Sequence, residues 1–227
     1  MLPTFWQRTR SYFRDADIET TESNYNDLLR VVLRRGRYQL QTRHAIYSYG
    51  DLYANFRETF EKIHITNCPV KNVLILGVGL GSIPFMLEKR FGKIYTYTGV
   101  EIDGTVLQLA QKYVLNDLKS PMMFHLTSAE IFVSVCREKF DLICMDVFID
   151  DKVPSGCETS AFLQQLKKLL TPKTGILLFN KLAATPSDRS KSGFFFDTHF
   201  KKIFPDADFL EIEGNYILIN RGDLLHP

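Results

Sequence analysis

Two groups of residues have types and spacings that could do chemistry. In the first, Asn72-Val-Leu-Ile-Leu-Gly77-Val-Gly79-Leu-Gly81-Ser82, an apolar run ends in glycines at every second position, and Gly99-Val-Glu101-Ile102-Asp103 follows one helix-length later. Glycines permit a tight strand-to-helix turn and let a flat ligand lie against bare backbone. A carboxylate at the tip of the next strand can accept both hydroxyls of a ribose. Gly77, Gly79, Gly81, Glu101 and its neighbour Ile102 therefore read as a nucleoside site. Ser82 stands where the dinucleotide pattern G-x-G-x-x-G has its last glycine, which argues against a nicotinamide cofactor. Asp103 lies beyond the strand and suits a cap for a helix beginning near Thr105.

The second group is acidic. Phe140-Asp-Leu-Ile-Cys-Met-Asp146 puts a carboxylate at a strand end, and Asp150 and Asp151 follow on a loop. An acidic mouth suits a cationic substrate, and a carboxylate there can take a proton from an attacking amine. The same oxygens would also suit a metal, or simply solvent. Between the two groups, Ser128-Ala129 opens a third unit, where Ser128 either meets an adenine edge or caps the following helix. The five histidines show no ligand spacing, so none is assigned to a metal.

Elements that position these groups can be read from periodicity. Strands are predicted at 72–76, 94–101, 122–126, 140–145 and 175–179, with helices near 83–91, 105–115, 129–137 and 160–170. Alternation of this kind means a parallel sheet covered on both faces. Asp208–Glu213 and Tyr216–Asn220, separated by Gly214-Asn215, leave room only for an antiparallel hairpin. Before this lies a β signal from Ile18 to Thr42, read as a hairpin turning at Arg34-Arg35-Gly36, and a helix capped by Asp51 and running to Ile63. Residues 1–17 read as a loosely held arm or short helix. The loop Lys181–Ser190 reads as a lid or a plain flexible loop, and Phe194–Phe196 as core or pocket wall. The expected division is 1–63 for arm, hairpin and linking helix, and 64–227 for the nucleoside-binding domain.

Composition sets bounds. At 227 residues and 45% apolar, the chain can bury a full core. A net charge of +2 gives no bulk argument for nucleic acid or an anionic membrane. Arg30, Arg34, Arg35, Arg37 and Arg43 cluster on the predicted hairpin and read first as a solvated strand edge. The most apolar stretch, Val73–Leu87, is interrupted by glycines and Pro84 and falls short of the ~20 residues of a spanning helix. Four cysteines without C-x-x-C spacing and a start lacking an apolar leader core point to a soluble, cytoplasmic protein.

Taken with these motifs, the chain resembles spermidine synthase and its relatives, the polyamine aminopropyltransferases. Glu22-Ser-Asn-Tyr25-Asn-Asp-Leu-Leu-Arg-Val31 is similar to their E-S-x-Y-x-x-I-x-V strand, Ser48-Tyr49-Gly50-Asp51-Leu52 to S-Y-x-E-M, and Val100-Glu101-Ile102-Asp103 to V-E-I-D. The strand ending at Asp146 resembles the one that ends in their catalytic aspartate. The resemblance implies a Rossmann-like class I methyltransferase fold, a mostly parallel α/β sheet closed by a C-terminal antiparallel hairpin, with a small N-terminal β-hairpin domain. It implies S-adenosylmethionine or its decarboxylated form as cofactor, with Glu101 on the ribose, and a small-molecule amine as partner. Asp146 would orient or deprotonate the amine, Tyr49 would line its channel, and the N-terminal β-domain would offer a homodimer surface. Leu80 stands where the family has an aspartate, Ile149 where it has the second acid of D-x-x-D-P, and Ser128 where it has an acid. Methyl transfer and nucleoside binding without catalysis therefore stay open beside aminopropyl transfer.

Overall fold

Apolar residues alternate between the two faces of each central strand, and this alternation divides the core. Leu74, Leu76, Ile143 and Met145 point to one side, Val73, Ile75, Leu142 and Cys144 to the other, and all are buried. The computed structural model describes residues 3–43, 45–149 and 152–225. Its large sheet is built from β5 (Asn72–Leu76), β6 (Thr96–Glu101), β7 (Met122–Leu126), β8 (Leu142–Met145), β9 (Ile176–Leu182), β10 (Asp208–Ile212) and β11 (Asn215–Ile219), after four earlier strands. The order is β10-β11-β9-β8-β5-β6-β7. Neighbours from β7 to β9 are parallel, whereas β11 runs antiparallel to both β9 and β10.

The chain runs outward from β5 through β6 to β7, then returns to place β8 on the other side of β5. A crevice opens at such a reversal, outside the carboxyl ends of the strands. Leu76 is paired with Val100 on one side and Met145 on the other, so the glycine loop, Glu101 and Asp146 leave the sheet at one level.

A four-stranded antiparallel sheet precedes it: β1 (Ala16–Thr21), β2 (Leu29–Arg34), β3 (Arg37–Gln41) and β4 (Ile46–Ser48), in sequential order. The sequence showed only the central hairpin of this sheet. The expected strand from Tyr25 starts at Leu29, because Ser23 Oγ accepts the amides of Tyr25 and Asn26 and turns the chain. Leu29, Val31 and Leu40 pack against Val78, Leu80, Val106 and Leu109 of the larger unit. Leu80 is only 1% exposed, committed to this interface rather than to the crevice.

The helices longer than one turn are α1 (Phe5–Arg10), α2 (Ala54–Lys62), α3 (Ser82–Lys89), α4 (Gly104–Tyr113), α5 (Ala129–Val135), α6 (Ser160–Leu169) and α7 (Pro186–Phe195). Asp51 does not cap α2 as expected. A 3-10 turn, Gly50–Leu52, precedes that helix, and Asp51 accepts from Arg37 Nε at 2.5 Å and Nη2 at 3.2 Å. The expected loop from Lys181 is mostly ordered, since β9 continues to Leu182 and a capping box at Thr185 starts α7. The chain continues through a π turn, Phe196–Phe200, with Phe195 and Phe196 in the core and Phe194 exposed. The final hairpin turns at Glu213-Gly214, both with positive φ, one residue earlier than expected.

Candidate active site

At the reversal point lies a cavity of about 860 Å³, within the range of small-molecule sites. Its floor is the carboxyl ends of β5, β6, β8 and β9. Its roof is the N-terminal sheet and the start of α2, through Tyr25, Tyr47, Tyr49 and Tyr53. Of the residues singled out by the sequence, Gly77, Gly79, Glu101, Ile102, Ser128, Ala129, Asp146 and Tyr49 line this cavity. Gly81 faces elsewhere, for a Cβ there would fall 2.4 Å from Leu115 Cδ2; its bare backbone admits the packing of that leucine. Asp150 and Asp151 lie outside the described residues.

Glu101 is the hub of the glycine-loop side. Its Oε2 accepts the amides of Val78 (3.0 Å) and Gly79 (3.4 Å), and its Oε1 those of Ile102 (2.9 Å) and Asp103 (3.1 Å). One carboxylate thus fixes the glycine loop and the turn after β6 together. Burial pushes its pKa up, and the backbone amides oppose the rise. Gly77 has φ +86, and a Cβ on it would lie 2.3 Å from the Asp146 carbonyl oxygen. Only glycine lets the loop after β5 come so close to the end of β8.

Asp103 caps α4 as expected, accepting from the amides of Thr105 (2.9 Å) and Val106 (3.4 Å). It also receives Ser23 Oγ–H at 2.5 Å and Asn26 Nδ2–H at 2.9 Å, which ties the segment entering β2 to the turn after β6. Tyr47 donates its hydroxyl to Asn26 Oδ1. A second link joins β4 to α3: Ser48 and Ser82 hydroxyls lie 2.6 Å apart, and Tyr49 N–H donates to Ser82 Oγ. Ser128 caps α5 through Ile131 N–H and still faces the cavity, so its two possible roles are not exclusive.

Asp146 forms a centre with two residues that the sequence did not single out. Tyr53 donates its hydroxyl to Asp146 Oδ1 at 3.2 Å, and Asn180 donates Nδ2–H to the same oxygen at 2.8 Å. Desolvation first, and the charge of Glu101 last, push the Asp146 pKa up to about 7 against the lowering by the two donors. Burial likewise drives the Tyr53 hydroxyl well above its usual value, so that it stays a donor. Asn180 is 1% exposed, and its Oδ1 is buried without a partner among the described residues. Tyr49, by contrast, gives its hydroxyl to the Arg34 carbonyl at 3.4 Å, so it is Tyr53 that reaches the carboxylate. The arrangement combines a nucleoside-sized crevice with a carboxylate that titrates near neutrality and two donors that orient it.

No family model matches the chain. It is similar to the polyamine aminopropyltransferase of Vibrio vulnificus, 28% identical over 118 residues, which are 51% of this chain and 39% of that relative. It therefore spans well under two thirds of that protein's length. Among solved structures, a probable spermidine synthase from Corynebacterium glutamicum superposes with a TM-score of 0.71 at 14% identity, over 90% of this chain and 80% of the other. Human methyltransferase-like protein 13 in complex with SAH superposes with a TM-score of 0.60 at 23% identity, over 74% and 82%. The fold is that of the spermidine synthase-like class I methyltransferases. In this spermidine synthase-like frame the N-terminal sheet closes the crevice from above, and the antiparallel β11 closes the sheet beyond β9.

Proposed function

We propose that the chain is an aminopropyltransferase that uses decarboxylated S-adenosylmethionine and an amine acceptor. The observation that carries the reading is Asp146, oriented by Tyr53 and Asn180 and titrating near neutrality at the switch point of the sheet. Glycine backbone, the Glu101 carboxylate and the Ser128 hydroxyl around one cavity form a donor and acceptor set that fits a nucleoside. When bound, the sulfonium nucleoside supplies an activated carbon next to sulfur. Glu101 would accept its ribose hydroxyls. Both donors bond Asp146 Oδ1, which leaves Oδ2 for the acceptor amine. As the amine nitrogen bonds to carbon and the carbon–sulfur electron pair returns to sulfur, Asp146 takes the N–H proton.

The test is thermal stabilisation by decarboxylated S-adenosylmethionine, S-adenosylmethionine, methylthioadenosine and NAD, measured side by side. A ligand at 100 times its Kd adds about 2.7 kcal/mol. The reading expects the decarboxylated form to stabilise most, and turnover with polyamine acceptors to follow. Stabilisation by intact S-adenosylmethionine alone would overturn aminopropyl transfer in favour of methyl transfer. Leu80 stands where the family has an acid and is buried away from the crevice, which makes that comparison decisive.

A further inference from the structure

The near-zero net charge conceals a local surface that neither the core nor the crevice uses. Phe5, Trp6, Tyr12 and Phe13 are 75%, 78%, 65% and 88% exposed, an unusual density of bare aromatic rings for one short segment. Helix α1 turns Arg8 and Ser11 toward the protein and presents Phe5, Trp6 and Arg10 to solvent. Its end is pinned to the β2–β3 turn: Arg35 N–H donates to the Ser11 carbonyl at 2.9 Å, and Gly36 N–H to Ser11 Oγ at 2.8 Å. Aromatic arm and basic turn therefore share one surface.

The unpaired charge on that surface has one sign. No acidic residue occurs before Asp15, and Asp15 faces Arg34 at 3.6 Å. Arg10, Arg14 and Arg35 are exposed and have no ion-pair partner among the described residues. Guanidinium groups interleaved with rings match a plane of phosphates above hydrocarbon, since aromatic side chains settle at headgroup depth while arginines hold the anions. No helix among the described residues is long and apolar enough to cross a membrane. We propose that the N-terminal arm and the β2–β3 turn form a docking surface for an anionic lipid membrane. The Arg34 carbonyl at the end of β2 also holds the Tyr49 hydroxyl in the cavity wall, so docking would sit one strand away from the crevice.

Trp6 is the only tryptophan in the chain and reports directly on this surface. Its emission should shift to the blue, and the protein should co-sediment, with vesicles of phosphatidylcholine and phosphatidylglycerol but not of phosphatidylcholine alone. Added salt should reverse both effects. Arg10→Ser, Arg14→Ser and Arg35→Ser should each weaken partitioning about fivefold. These residues lie at the surface, and unchanged thermal midpoints would show the variants folded. Absence of a shift with every vesicle composition would overturn the proposal. So would an equal shift with a single-stranded oligonucleotide. A shift that follows protein concentration without lipid, together with a doubled mass, would instead assign the surface to a second copy of the chain.

Discussion

Asp146 is caught between burial, which favours its neutral form, and the proposed reaction, which would need it charged. Its folded pKa of about 7 lies above the ordinary carboxylate value, so ionising it costs stability. That contribution is intact at low pH and is lost as pH rises toward and through about 7. Asp146→Asn should remove this part of the decline, and urea unfolding of both proteins from pH 4 to pH 8 would measure the difference. The expected gap is a few kcal/mol at pH 8 in favour of the variant, since each tenfold change in proton affinity between the folded and unfolded chain corresponds to about 1.4 kcal/mol. Glu101 is shifted in the same direction, so only the comparison with the variant isolates Asp146. Activity should move oppositely, with kcat/KM rising through an apparent pKa near 7 and collapsing in the variant. Asp146 and Glu101 were legible in the sequence because strand-end carboxylates face the crevice of an open α/β sheet. Asn180 left a fainter signal, an amide closing the apolar run Ile176–Phe179. Tyr53 left none, since its direction depends on the 3-10 turn that displaces the start of α2.

Among the elements, the alternating strands and helices were readable to within a few residues because their apolar faces carry the period. The N-terminal sheet was not, because β4 has only three residues and both β1 and β4 pair through irregular registers, at Asp17/Glu19 and Leu40/Gln41. What joins that sheet to the larger unit is polar and nonlocal. Asp103 does three things there: it caps α4 and receives both Ser23 and Asn26. Asp103→Ala should therefore cost about 2–3 kcal/mol, one part for the cap and the rest for two stranded donors. Differential scanning calorimetry should find a midpoint several degrees lower. Hydrogen exchange should quicken in β2 and β3 more than in β5 or β8. A loss confined to α4 would reduce Asp103 to a cap.

For the whole molecule, topology was the most legible property. A run of βα units followed by a two-residue connection admits few arrangements, and the observed order is among them. The roof over the crevice was legible only through resemblance, because no periodicity shows which sheet will lie across which. One contact inside this architecture reaches beyond the local fit. The loop that would cradle the donor touches, at Gly77, the carbonyl of the residue that would meet the acceptor. The two ligands would then lean on opposite sides of a single seam with no slack in it. Their affinities should be coupled, and by linkage each must change the other's by the same factor. Calorimetric titration of a polyamine with and without methylthioadenosine, and of methylthioadenosine with and without the polyamine, would give that factor twice. Two equal factors different from one would mark the seam as a route of communication; factors of one would make it a passive joint.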